Sequence, residues 1–355
     1  MDFKSFSETI KDLIRDYLPE EYKNASIEIM EQTKLNEQYM GLTVRKEDQT
    51  IAPTVNLNAL YEAYEKGNKS ISLILSETAK LVQMEPDGID LSVLFNYEKA
   101  KEHLFIRVSN LETNRDKVAD APHVIHEDLV VTYHIATDLN SKGIASTMVT
   151  NSMLRYYGIT QEQLHIDAMK SAPELLPARV ESMDAVMHRM MMEEMKASGL
   201  SQEEMDAILA DMPIIEQTPM TVVTNEHTMN GAAVFFYPDQ MDKIAEQLGG
   251  DYFILPSSVH ELLVIPDNGE FDHEGLRGMV QEVNATQVMP KDRLADEVYH
   301  YDSKDRVFEK AEKFEERQKA KTQERQDKLD KGEKLQEHGA APKAQKKHKS
   351  NDMSL

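Results

Sequence analysis

A chain of 355 residues with 63 Asp and Glu against 40 Lys and Arg is strongly acidic, with a net charge of -23, and is long enough for two domains or one large one. It has no cysteine, which excludes a disulfide framework, thiolate zinc sites, iron–sulfur clusters and a cysteine nucleophile. Hydrophobic residues at 40% and charged residues at 29% are the balance of a soluble globular protein rather than of a disordered chain.

The charge is uneven. Residues 304–355 hold 15 Lys and Arg against 11 Asp and Glu, which leaves about -27 on the body and about +4 on the tail. Clustered positive charge is what holds phosphate backbones and anionic membranes, so the acidic body suits neither, and only the tail offers weak reach toward nucleic acid. No apolar run approaches the ~20 residues of a membrane span.

In chain order, Met1 to Leu18 places Phe3, Phe6, Ile10, Leu13, Ile14 and Tyr17 among charges, the pattern of an amphipathic helix and not of a signal peptide. Ser26 to Gln32 and Tyr39 to Arg45 alternate as a hairpin. Helices are expected over Val55 to Tyr64 and Ser70 to Val82, the second closed by the Pro86-Asp87-Gly88 turn.

Three stretches share the order strand, turn, strand, helix. They run from Tyr39 to the helix around Leu60, from Leu129 through Ile144 to Val149 to the helix around Leu154, and from Thr221 to Leu248. In the third, Asn230-Gly231 reads as the turn between strands Thr221 to Thr224 and Ala232 to Tyr237, before a helix opened by Pro238 and Asp239. Hairpins each followed by a covering helix predict an α+β fold rather than a parallel sheet.

Between the second and third units, Thr160 to Asp211 reads as a helical block, with capping boxes at Thr160/Gln163 and Ser201/Glu204. Met183, Met187, Met190, Met191 and Met195 recur at helical spacing in it, either as core packing or, if exposed, as an adaptable binding surface. Strand-like runs Tyr252 to Leu255 and Leu262 to Ile265, a helix around Leu276 to Val283 and a short run Val298 to Tyr301 complete a body over 1–302. That body is divisible into about 1–158 and 212–302 with the helical block 159–211 between. The rest, 303–355, reads as a charged helical or disordered tail, with Arg306 to Glu337 as an exposed helix supported by pairs such as Glu309/Lys313.

Phosphate-loop, dinucleotide, nucleophile-elbow and calcium-loop patterns are absent from the sequence, and His260-Glu261 lacks the second histidine of a zinc protease because that position is Val264. Two polar clusters remain. His123, His126, Glu127, Asp128 and His134 bracket a strand, with His126, Asp128 and His134 expected on one face, where imidazoles and carboxylates could hold a divalent metal. Ser257, Ser258, His260 and Glu261 have the composition of a hydrolytic trio but sit too close in sequence to adopt its geometry, which favours a structural role. No catalytic residue, metal ligand or cofactor is assigned.

The stretch from Leu255-Pro-Ser-Ser-Val-His-Glu261 to Pro266, with Val283-Asn-Ala-Thr-Gln-Val288, resembles the C-terminal hallmark of a bacterial domain-of-unknown-function family, number 5688. Ile51-Ala-Pro-Thr-Val-Asn-Leu57 with Tyr61 and Tyr64, and Asp120-Ala-Pro-His123 with Asp128-Leu129, resemble it too. The resemblance covers roughly 1–302 and implies a cytoplasmic protein of anaerobic Gram-positive bacteria, with no chemistry to transfer. Met190 to Asp211 and the tail look like departures from that family's shorter pattern. The function expected from these observations is a non-enzymatic binding or adaptor protein with a protein partner. The alternative is a metal-dependent hydrolase joining the His123 to His134 region to His260 and Glu261.

Overall fold

The N-terminal helix α1 (Phe3–Leu13) starts where Asp2 accepts the Ser5 backbone N–H at 2.8 Å, and it turns Phe6 and Ile10, one helical turn apart, fully into the core. This computed structural model describes residues 1–47, 49, 52–84, 91–140, 143–211 and 219–337. After two short 3-10 turns, β1 (Ser26–Lys34) and β2 (Glu37–Arg45) pair from Ser26↔Arg45 to Lys34↔Glu37, and β3 (Thr54–Asn56) adds to β2. Helices α2 (Leu57–Glu65) and α3 (Ile71–Gln83) begin at Asn56 and Ser70, whose side chains accept the Ala59 and Leu73 N–H groups. The helix expected from Val55 starts later because Val55 is spent on pairing with Leu42. Leu42, Val44, Leu57 and Ile74 close a separate core with α1, each such side chain contributing about 1.5–3 kcal/mol on burial. The Pro86-Asp87-Gly88 turn lies outside the described residues.

The middle of the chain runs α4 (Tyr97–Ala100), β4 (Leu104–Asn110), α5 (Leu111–Val118), β5 (His123–His126), β6 (Leu129–Asn140), β7 (Gly143–Met148), α6 (Asn151–Tyr157) and α7 (Gln161–Leu175). Strand β6 is central, paired to β4 along one side and to β5 and then β7 along the other. Its residues from Leu129 to Ala136 are all buried, so both faces are covered and the run reads as continuously apolar rather than alternating. Leu164, Ala168 and Ala172 of α7, at four-residue spacing, join the core beneath β4.

The remaining elements are β8 (Ala178–Ser182), α8 (Met183–Ala197), α9 (Gln202–Asp211), β9 (Thr221–Asn225), α10 (Gln240–Leu248), β10 (Tyr252–Leu255), β11 (Leu262–Pro266), α11 (His273–Thr286), β12 (Tyr299–Asp302), β13 (Val307–Lys310) and α12 (Ala311–Glu337). Their strands form one sheet in the order β13-β12-β10-β11-β9-β8. All described strand pairs are antiparallel, and the fold is α+β. A single core links this sheet to the middle one, from Val93 through Phe235 and Tyr252 to Tyr301.

Three sequence readings are corrected. The stretch Gly231–Phe236 is a 3-10 helix and not the second strand of a hairpin. Every one of its residues is buried, so no alternation marks it as strand or helix. A Cβ on Gly231 would lie 2.1 Å from Thr224 Oγ1 and 2.4 Å from the His260 carbonyl, so this glycine serves close approach of β9 rather than a hairpin turn. The helical block is interrupted by β8, an edge strand paired to β9. The expected helix from Arg306 gives way first to β13, which extends the sheet, and the start of α12 is then docked: Ala311 is buried and Arg317 reaches Asp302, Asp305 and Glu309. The basic Lys343 to Lys349 end lies outside the described residues.

Candidate functional site

The first polar cluster divides between the two faces of the middle sheet. Glu127 has φ 58°, so the chain reverses there and His126 and His134 fall on different strands. In register His126 lies opposite Leu129 and His123 opposite Thr132, which puts His126 on one face and His123 with His134 on the other. The expectation of a single face for His126, Asp128 and His134 assumed one continuous strand and is corrected by this hairpin. His123 donates from Nδ1 to the Ala121 carbonyl at 2.8 Å. His134 is sealed in, with Nε2 3.1 Å from Thr132 Oγ1, and burial followed by the nearby Arg107 charge holds its pKa well below the ordinary histidine value.

His126 stacks on Phe236 at 4.7 Å, and burial, then His165, lowers its pKa. It lines an open cavity of about 480 Å³ with Tyr237, Asp239, Asp242, Tyr301 and Arg306. Those charges already serve one another: Tyr301 donates to Asp242 at 2.6 Å, and Arg306 pairs with Asp242 and reaches Asp239. Asp128 accepts the Tyr299 hydroxyl at 2.8 Å and pairs with Lys310 at 3.1 Å, and Glu127 pairs with Lys313 at 2.6 Å. The turn therefore ties the middle sheet to β13 and α12.

The second cluster is a knot of internal bonds. Ser258 Oγ accepts the His260 backbone N–H at 3.0 Å rather than meeting the imidazole, and the Ser258 N–H donates to the Glu261 carbonyl at 3.2 Å. The Asn230 N–H donates to His260 Nδ1 at 3.2 Å, which leaves Nε2 to carry the proton toward Asp292 Oδ1 at 3.3 Å. Ser257, half-buried, donates its N–H to the Leu255 carbonyl. Among the described residues no three His, Asp or Glu groups gather where they could hold a metal ion.

A cavity of about 600 Å³ opens between the β1–β2 tip, α5 and the segment before β12, and is lined by Asn36, Glu37, Asn110, Lys117, Arg293 and Asp296. At its edge Asn36 and Asn114 hold each other: the Asn36 N–H donates to Asn114 Oδ1 at 2.8 Å and Asn114 Nδ2 donates to Asn36 Oδ1 at 2.5 Å. Sequence patterns give no sign of this junction.

The methionine stripe is exposed at Met187 and Met190 and half-buried at Met183, Met191 and Met195. Helix α8 has no buried residue, and Met187 and Met190 are 51% and 61% exposed. Gly199 at φ 80° ends α8, and Ser201 and Glu204 form a reciprocal capping box that starts α9. The two helices are thus joined by a short turn, and α8 lies against β8 and β9. Met205 of α9 is buried, while Ile208 is exposed.

The model of a family of unknown function, DUF5688, matches residues 3–303. The chain belongs to that family. No curated protein and no solved structure matches. The DUF5688 span encloses both histidine clusters, the 600 Å³ cavity and helices α8 and α9, whereas α12 lies beyond it. No described helix is long and apolar enough to cross a membrane.

Proposed function

We propose that this DUF5688 protein is a non-enzymatic adaptor that docks a basic amphipathic helix of a protein partner on helices α8 and α9. The carrying observation is the exposed Met187 and Met190 face on a helix that buries none of its own residues. Thioether side chains are flexible and polarizable, so a methionine face conforms to varied apolar partners. Residues 183–211 carry 7 acidic against 2 basic side chains, which selects a positively charged occupant. The histidine clusters support this reading because most of their polar groups are engaged internally. A bacterial cytoplasmic setting is what the family resemblance implies for this chain.

Calorimetric titration of the full chain with a synthetic Lys/Leu amphipathic peptide tests the proposal. Saturable binding is expected, weakened at least tenfold in the Met187→Glu, Met190→Glu variant. No binding, or binding equal in that variant, overturns it.

A further inference from the structure

On β4, Arg107 lies directly opposite Thr132 of β6, and Thr132 lies opposite His123 of β5. His134, two residues along β6 on the same face, stands opposite Phe105. One face of the sheet therefore carries a guanidinium, two imidazoles and a hydroxyl in adjacent rows, with no carboxylate in them. Ser109, two residues beyond Arg107, points to the same side.

Acidic groups outnumber basic ones 63 to 40 in this chain, and its other part-buried arginines use them except Arg293, whose Nε donates to the Val288 carbonyl instead. Arg189 pairs with Glu181, Arg277 with Glu297, and Arg317 with Asp302, Asp305 and Glu309. Arg107 pairs with no carboxylate among the described residues. Its Nε is sealed from solvent with no acceptor, and burial lowers its pKa with no acid beside it to oppose the shift. The Ser109 hydroxyl is also sealed and unpartnered.

The neighbours do not supply the missing charge. His123 spends its Nδ1 proton on a carbonyl, and Thr132 is closed beneath the row. Arg107 and His123, on the two outer strands, keep partial exposure, and Ile125 on this same face is half exposed. Solvent thus reaches the row from its edges. A buried positive charge without a counter-charge is unfavourable, and a guanidinium fork is matched by the paired oxygens of a carboxylate or phosphate group.

We propose that Arg107 anchors a binding site for a small oxyanion on this face, with the unpartnered Ser109 hydroxyl beside it. The anion is a phosphate or carboxylate group that supplies the charge the chain withholds. This site lies apart from the methionine-bearing helix α8 and does not depend on it.

Thermal melts and calorimetry of the full chain, with inorganic phosphate, citrate or sodium chloride at matched ionic strength, test the site. A saturable rise in Tm with phosphate or citrate beyond chloride is expected, and whichever acts at lower concentration identifies the group. Arg107→Met should abolish the response while melting no lower than the wild type in chloride, because an apolar chain of similar reach removes an unpaired charge. Arg107→Lys, which keeps the charge and loses the fork, should weaken binding about tenfold. No saturable response to either anion, or an undiminished response in Arg107→Met or Arg107→Lys, overturns the site.

Discussion

The imidazole of His300 lies face to face with the ring of Phe314, their centroids 3.5 Å apart and their planes 15° apart. His300 is completely buried in β12 and Phe314 belongs to the first turn of α12, so this stack fastens a helix of mostly charged residues to the six-stranded sheet. Phe314→Ala should cost about 2–3 kcal/mol, toward the low end for a phenylalanine because the ring is only part-buried. Amide exchange should rise over Ala311 to Lys321 while β10 and β11 stay protected; uniform loss of protection would show that the stack supports the whole sheet instead.

Stability should fall between pH 7 and 5. Burial lowers the pKa of His134, with Arg107 adding to the effect, and burial lowers that of His300 although Asp267 opposes it. The unfolded chain therefore binds these protons first. The stabilising contribution is full above the unfolded pKa of about 6.5 and declines as pH drops from there toward the folded values, by up to about 1.4 kcal/mol per pH unit for each imidazole. Urea melts across that range measure the slope, and His134→Asn should reduce it. An unchanged slope in that variant would remove His134 from the account.

Asn114→Ala should destabilise by about 1–3 kcal/mol, because the fully buried Asn114 amide takes the Asn36 N–H and returns a bond to its side chain. The loss should be local. Amide exchange at residues 34–38 should quicken first, and unaltered exchange at Asn36 would mean that the hairpin tip is held by Lys117 and its bonds to the Lys34 and Glu37 carbonyls instead.

Gly231→Ala should destabilise by about 3 kcal/mol or more, since its new methyl meets Thr224 Oγ1 and two backbone atoms, the His260 carbonyl and the Asn225 nitrogen. A chemical melt reads this directly; a change under 1 kcal/mol, small beside that figure, would show that β9 and the His260 segment can part freely.

What the sequence reveals depends on how locally each feature is determined. The β1–β2 hairpin and the β10–β11 pair are legible because alternation or a short apolar run between turn residues suffices. Gly231–Phe236 is not, because a wholly buried run has no period. Strand β13 hides among charges that also suit a helix, and only pairing with β12 selects the extended form. His123 and His134 could be singled out as unusual residues, but their shared face depends on the reversal at Glu127, which no turn-favouring Gly or Asn announces. Arg107 was invisible for a further reason: lacking a partner is a property of the packed structure and not of any motif. The methionine stripe is legible as a helix, whereas the exposure of Met187 and Met190 follows only from the placement of α8 outside the core.

The adaptor reading is tested most directly by methyl NMR of the full chain, with its 21 methionines labelled, titrated with the basic amphipathic peptide. The account predicts saturable shifts at the Met187 and Met190 methyls, with Met205, buried beneath α9, moving little. Methyl resonances of Met187 and Met190 that stay fixed while the peptide binds, or a peptide that does not bind, would contradict it.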